Sequence, residues 1–368
     1  MAQYVSRLVS VVPVELSLCN TAKSFLQSGF WGSFKARFGW NARGFLVDWG
    51  ELGQTPLMVI RRRLFPGCSF AYIPWGPELP ENFPAGDGER NRALVDLAVT
   101  LRHLLPEDTA FVRFDLPWLS TSAPLAIHKP LRRAGADIQP PDTVFIDLTA
   151  DEDAILAGMK SKARYNIKLA SKKGVVVKRV DEEGIPAFYS LLKTTAKRDG
   201  IAIHGVTYYE TLFSHYKNYL DASGCPDTRP GSLELGLYLA EHEGDLLAGI
   251  VALFRGKDAV YLYGASADCK RNLMAPYLLQ WTAMSYAKSR GCAVYDLFGI
   301  PPDEDPKRSM AGLYRFKTSF GGAVGHRPGS WDYAYKPVLR TLFVAAETAR
   351  RKARSLRRSK KSGRSKSL

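Results

Sequence analysis

Several side chains in this 368-residue sequence have the type and setting for chemistry on a carbonyl or a phosphate. Asp115 closes the apolar run Phe111-Val112-Arg113-Phe114 just ahead of Leu116-Pro117. A carboxylate at a strand end can orient an amine or take its proton; equally, it can cap the turn that follows. Tyr261 and Tyr263 alternate with Leu262, which puts both hydroxyls on one strand face. Beside Gly264, Tyr263 suits either a substrate groove or a core position with its hydroxyl hydrogen-bonded. Asp296, at another strand end, reads as structural. Arg198 ends the helical run Lys193–Arg198, where a guanidinium grips a phosphate through its bidentate fork or simply offsets the helix dipole. Lys160, Arg164, Lys168 and Lys172 recur at every fourth position and so fall along one helical face. That stripe is either RNA-facing or merely solvated.

Metal chemistry is not indicated. The six histidines form no ligand spacing, and the cysteines (Cys19, Cys68, Cys225, Cys269, Cys292) make no CxxC pair. An odd, scattered set of five also argues against a disulfide framework and for a reducing compartment.

The elements that position these residues repeat in order. Strands are expected at Gly44–Trp49, Leu57–Arg63 and Ser69–Trp75, after a short helix at Thr21–Ser28. Helix Arg90–Leu105 follows, with Leu94, Leu97, Ala98 and Leu101 at helical spacing, then strands Phe111–Asp115 and Thr143–Leu148. Asp151-Glu152-Asp153 opens a new helix after a break. The second half runs strand Val175–Val180, helices Pro186–Arg198 and Tyr208–Leu220, and strands Leu233–His242, Leu246–Arg255 and Asp258–Gly264. Helix Pro276–Arg290, strand Ala293–Leu297 and β segments near Val324 and Tyr333 complete it. Each half thus sets an antiparallel meander before a helix and another strand. An N-acyltransferase sheet has this order, so the fold class expected is α+β, with mixed sheets in tandem GNAT-like domains.

In coenzyme A users, the turn between the third of these strands and the helix carries glycines that cradle pyrophosphate at the helix N-terminus. Here that turn is Ala265–Ala275; it holds no glycine, and Asp268 within it is expected to repel a phosphate. Coenzyme A is therefore disfavoured as donor and no cofactor is expected. A different activated acyl group is needed.

At 368 residues two domains are expected. With 46% hydrophobic and 24% charged residues, the composition is that of an ordinary soluble globular chain. The net charge of +15 is uneven: ten of the positive charges lie between Arg350 and Leu368 with no acid, leaving about +5 on the body. Such a tail suits RNA or an anionic membrane surface, or is a solubilising, disordered end. No run approaches the length of apolar residues needed to span a bilayer. Pro13 and Glu15 interrupt the apolar start, so no signal peptide is read and a cytoplasmic protein is the default.

The motifs carry a family resemblance. Met159-Lys160-Ser161-Lys162-Ala163-Arg164-Tyr165-Asn166-Ile167-Lys168, the run Tyr261–Ser266, Tyr277-Leu278-Leu279-Gln280-Trp281, Tyr295–Ile300, Gly312-Leu313-Tyr314-Arg315-Phe316-Lys317 and Phe320-Gly321-Gly322 resemble the Fem family. Those enzymes are the aminoacyltransferases of the peptidoglycan interpeptide bridge. Phe25-Leu26-Gln27-Ser28, Trp31-Gly32 and Lys35 are similar to the family's opening motif. The resemblance covers about residues 21–335. It implies two acetyltransferase-like domains, here a first over 1–148, completed by 328–349, and a second over 149–327; the basic tail over 350–368 lies outside the family's pattern. Residues 180–233 leave no room for the helical hairpin of some relatives, so this is the compact form. Ser223–Gly231 and Pro301–Ser309 exceed the family's minimal pattern.

What the resemblance implies chemically is transfer of an amino acid (glycine, alanine or serine) from aminoacyl-tRNA to the side-chain amine at the third stem-peptide position. The acceptor is UDP-MurNAc-pentapeptide or its lipid-linked form, met in the cytoplasm or at the inner face of the cytoplasmic membrane; the charge of the tail, apart from the resemblance, suits a peripheral contact with anionic lipid. Lys317 matches the functional lysine and is expected as a fixed cation for the oxyanion or the tRNA end. Phe316 beside it, Lys35, Arg198 and Tyr263 are the substrate-binding candidates, Asp115 the second catalytic one, and Lys160, Arg164 and Lys168 the tRNA-facing set. Competing readings are a tRNA-dependent transferase on protein N-termini, a coenzyme A-dependent N-acyltransferase, and a non-catalytic RNA- or membrane-binding protein.

Overall fold

A computed structural model describes residues 7–84, 86–122, 124–223, 232–305 and 310–364. The chain divides into two compact units, one formed by the residues up to Pro141 with those from His326 onward, the other by Asp142–Gly325.

The first unit contains strand β1 (Ser10–Val14), helix α1 (Gly29–Ala36), strands β2 (Asn41–Asp48), β3 (Gln54–Phe65) and β4 (Cys68–Ile73), helix α2 (Asp87–Leu104), and strands β5 (Thr109–Asp115) and β6 (Arg132–Arg133). The chain returns to it as strand β14 (Ser330–Ala334) and helix α9 (Pro337–Arg364). The sheet order is β1-β2-β3-β4-β5-β14-β6. Only β4 and β5 are parallel neighbours, and parallel strands need a crossover. Helix α2 supplies it, burying Leu94, Leu97, Ala98 and Leu101 completely.

The second unit runs β7 (Asp142–Asp147), α3 (Glu152–Gly158), α4 (Ser161–Lys172), β8 (Val176–Val180), α5 (Ile185–Asp199), α6 (Val206–Ser223), β9 (Glu234–His242), β10 (Asp245–Arg255), β11 (Asp258–Ser266), α7 (Ala275–Ser289), β12 (Val294–Asp296), α8 (Ala311–Thr318) and β13 (Ala323–His326). Its order is β13-β7-β12-β11-β10-β9-β8. The construction is the same: β11 and β12 are parallel and α7 crosses between them, placing Leu279, Ala283, Met284 and Ala287 in the core.

Four expectations change. The strand near Thr143, expected to close the first domain, opens the second, because β7 pairs with β12 and β14 holds the place beside β5. The apolar start forms β1, which sits at the sheet edge, where Pro13 removes no needed ladder bond. The helix expected at Thr21–Ser28 begins instead at Gly29, because Ser28 caps it by accepting from the Trp31 amide at 3.2 Å. A side chain at Gly29 would collide with the Leu16 carbonyl. Finally, the basic stretch expected as disordered continues α9 to Arg364, in keeping with a run of Ala, Arg, Lys and Leu that meets no Gly or Pro before Gly363. Gly224–Gly231 of the first long loop and residues 306–309 of the second lie outside the described residues.

Helix α9 is pinned through a buried ion cluster. The fully buried Arg113 guanidinium donates to Asp332 at 2.7 Å and to Glu347 at 3.0 Å. Arg340 donates to the same Asp332 at 3.0 Å and to the Arg133 carbonyl at 2.6 Å. Removing one member strands its partners away from water, which costs about 3–5 kcal/mol. Arg113→Met is therefore expected to lower the urea midpoint of the first unit by that equivalent. An unchanged midpoint would show that the cluster contributes nothing net.

Candidate active site

Lys317 lies near the end of α8 and is only 5% exposed. Its Nζ donates to the Gly299 carbonyl at 2.9 Å and to that of Phe298 at 3.4 Å. It also sits 4.9 Å from the centroid of the Tyr261 ring, within reach of a cation–π attraction. Phe298 takes a left-handed conformation, φ 59°, rare for a bulky residue, and this local turn presents two successive carbonyls to one ammonium. The turn is held by Asp296, which accepts from the Phe298 amide at 2.7 Å and from the Thr143 hydroxyl. The Leu297 amide adds a bond to Val144.

Burial pushes the Lys317 amine from its ordinary 10.5 down to about 7, with nearby Asp296 acting in the opposite direction. The fixed-cation role expected of Lys317 is thus weakened by burial and supported by Asp296. Phe316, its neighbour, is half-buried and meets Tyr277 and Phe320 edge-on.

The two tyrosines do not share a face. Strand β10 pairs Val251 with Tyr263 but Ala252 with Tyr261, so Leu262 is the extra residue of a β-bulge. Tyr261 therefore turns toward the α7 core cluster and Lys317. Tyr263 turns the other way, packing edge-on against Tyr209 and hydrogen-bonding the Tyr208 hydroxyl at 3.1 Å. A side chain at Gly264 would collide with the Tyr261 ring.

Arg198 is a tie between elements. Its guanidinium bonds Asp199 twice, at 2.8 and 3.0 Å, Asp268 at 3.0 Å and the Ser266 carbonyl at 3.1 Å. Free phosphate-binding capacity, as expected from the sequence, is largely taken up. The same pairing offsets the Asp268 charge that was expected to repel phosphate, so only the absence of glycine from that turn still weighs against coenzyme A.

In the first unit Asp115 occupies the position that Asp296 has in the second, at the end of the strand following the crossover helix. It caps no turn. Its carboxylate accepts from the Tyr72 and Ser330 hydroxyls and, at 3.0 Å, from the Gln139 amide. Burial raises it to about 6, against the pull of those hydrogen bonds. Lys35, in α1, is half-buried with its Nζ 5.8 Å from the Trp31 ring; burial first, then Arg62, lowers it to about 8.

The basic stripe is broken. Arg164 turns back to bond the Ala157 carbonyl at 3.1 Å and that of Met159, closing the end of α3. Lys160, Lys168 and Lys172 remain exposed, and Tyr165 beside them is 64% exposed.

A sequence profile described as the FemAB family matches residues 127–221 and 237–349, more than half the chain. The chain belongs to the FemAB family. Staphylococcus aureus proteins named lipid II:glycine glycyltransferase, from strains MSSA476 and USA300, are 24% identical to it over 270 residues. That alignment covers 59% of this chain and 64% of theirs, so the chain spans less than two thirds of these relatives. A crystal structure of FemX superposes with a TM-score of 0.72 at 20% identity, over 91% of this chain and 100% of that one, so the fold is shared. Within the FemAB match lie Arg198, Tyr263, Phe316 and Lys317, whereas Lys35 and Asp115 fall before it.

Sequence reasoning missed Thr143, Tyr72 and the carbonyls of Phe298 and Gly299. Phe298-Gly299 belongs to a recognisable motif, yet side-chain type does not reveal that the backbone is what contacts Lys317.

The Lys317 shift has a stability consequence. Its folded value of about 7 lies below the ordinary 10.5. Between these the unfolded chain binds the extra proton, so stability rises with pH across that window. Lys317→Met should flatten this rise in urea unfolding measured from pH 7 to 10. Parallel profiles for the two proteins would rule out a depressed lysine.

Proposed function

We propose that this FemAB chain is a tRNA-dependent aminoacyltransferase of peptidoglycan bridge synthesis. In this reading it transfers glycine, alanine or serine from aminoacyl-tRNA to the side-chain amine at the third stem-peptide position. The acceptor is lipid-linked or is UDP-MurNAc-pentapeptide. The observation that carries the reading is the Lys317 amine, held by two carbonyls and an aromatic face within the family-matched segment. The names of the staphylococcal relatives support the same substrate class.

The acceptor amine attacks the ester carbonyl, a C–N bond forms, and negative charge gathers on the carbonyl oxygen. Collapse breaks the bond to the tRNA 3′-oxygen, which takes up a proton. An amine with a value near 7 is suited to this work: charged, it stabilises the oxyanion and hands a proton to the departing oxygen. Deprotonated, it recovers a proton from the acceptor nitrogen, which carries positive charge once the C–N bond has formed. Phe316 lines the acceptor beside Lys317 in the second unit; Lys35, in the first unit, is by itself a phosphate-binding candidate for the precursor. Arg198, Tyr263 and Asp115 act here as positioning residues, Arg198 by fixing the β11–α7 turn and Asp115 by fixing Tyr72 and the strand ends. The exposed lysines of α4, with Tyr165, face the tRNA, and Arg164 supports that surface.

No helix among the described residues is long and apolar enough to cross a membrane. In this reading the enzyme is cytoplasmic and meets a lipid-linked acceptor peripherally, at the inner face of the cytoplasmic membrane.

The test is a panel of charged tRNAs with a stem-pentapeptide precursor, read by product mass. One aminoacyl increment is expected with at least one tRNA and none with acetyl-coenzyme A. No increment with any tRNA would sink the reading, and an acetyl product would replace it with coenzyme A-dependent acylation. Lys317→Ala should lower the rate about 10²–10³-fold, the usual loss of one oxyanion-stabilising group. Lys35→Ala should instead raise KM for the precursor about tenfold with kcat little changed.

A further inference from the structure

Helix α9 presents two unlike faces. Inward, Arg340 and Glu347 join the Arg113 cluster, and Phe343 packs 5.4 Å from Phe111 and 5.7 Å from Phe70. Outward, Val338 is 72% and Leu342 62% exposed, and Ala345, Ala346, Ala349 and Ala353 continue the exposed line at helical spacing. The outer stripe is thus apolar for four turns. Glu347, the helix's single acid, is turned in upon Arg113. From Arg350 onward the sequence adds ten cations and no acid.

An apolar stripe continued by cations on one surface helix has a defined physical preference. The headgroup region of an anionic bilayer rewards both parts, the stripe by burial among acyl chains and the cations by surface potential. RNA rewards the charges but leaves Val338 and Leu342 in water. A protein groove rewards the stripe but has to supply a dense acidic counter-surface for the rest.

We infer that α9 is a docking helix for an anionic lipid surface: Val338, Leu342 and the exposed alanines enter the interface, and the acid-free basic sequence from Arg350 onward adds positive charge that favours anionic lipid. The inference deepens the peripheral location proposed above, and it stands on α9 chemistry, whichever reaction the chain performs.

Sedimentation of the full-length protein with vesicles tests it. Phosphatidylcholine vesicles containing about one third phosphatidylglycerol should bind at least about tenfold more tightly than phosphatidylcholine alone at ~0.15 M salt. Val338→Asp combined with Leu342→Asp should weaken that binding about tenfold with an unchanged melting curve, since both side chains point to solvent. Replacing Arg350, Arg351, Lys352 and Arg354 by Gln should weaken it comparably. Equal binding to neutral vesicles overturns the proposal, as does binding indifferent to the two aspartates. A charge-only response, with tRNA bound in preference to vesicles, would assign α9 to RNA. Transfer to the soluble precursor should survive the aspartate pair, so loss of vesicle binding and failure of the proposed reaction are read separately.

Discussion

The hydrogen bond from the Thr143 hydroxyl to the Asp296 carboxylate joins the segments on which the Lys317 site stands. It crosses from β7, where the second unit begins, to the end of β12, where that unit's parallel pair stops. The same Asp296 oxygen also accepts from the Phe298 amide, and so stabilises a left-handed turn that a bulky residue avoids on its own. Two carbonyls then face Lys317, and the bulge at Leu262 turns the Tyr261 ring toward the same amine. Burial works against the charged form of this lysine, the nearby Asp296 works for it, and the two carbonyls give its N–H groups acceptors in place of water.

The first unit uses the same device. Asp115 ends β5 as Asp296 ends β12, and Ser330 on the antiparallel neighbour donates to it as Thr143 does. Both sheets therefore consist of a parallel pair, a crossover helix and a closing strand drawn from a distant part of the chain. In the first unit that strand lies 215 residues on from its aspartate partner. The entropic cost of so long a closure grows only logarithmically with length, which lets a whole second unit intervene. The likeness between halves is one of geometry, carried by a buried carboxylate, with little trace in residue identity.

Charge is used in two ways by α9. Inside, Arg113, Asp332, Arg340 and Glu347 exchange water for one another, an arrangement valued for geometry more than for net energy. Outside, Val338 and Leu342 are exposed, and from Arg350 onward the sequence adds cations and no acid. The inner cluster sets the rotation of the helix, and the rotation decides which side chains meet solvent.

The sequence by itself determined the element order, the acyltransferase architecture and the family, because periodicity and motif survive without knowledge of distant contacts. The motif ending Tyr314-Arg315-Phe316-Lys317 also singled out Lys317 as a candidate. Its chemistry was not: the proton affinity depends on burial and on backbone carbonyls, which no residue type announces. Tyr261 and Tyr263 show the limit most plainly, since strict alternation puts them together and one bulged residue parts them. Arg198 and Arg164, read as free cations, are held by carboxylates and carbonyls brought close only on folding. Tertiary structure decided which strand closes which sheet and which charges stay available, because pairing between distant segments is a property of the packed chain and leaves no local pattern.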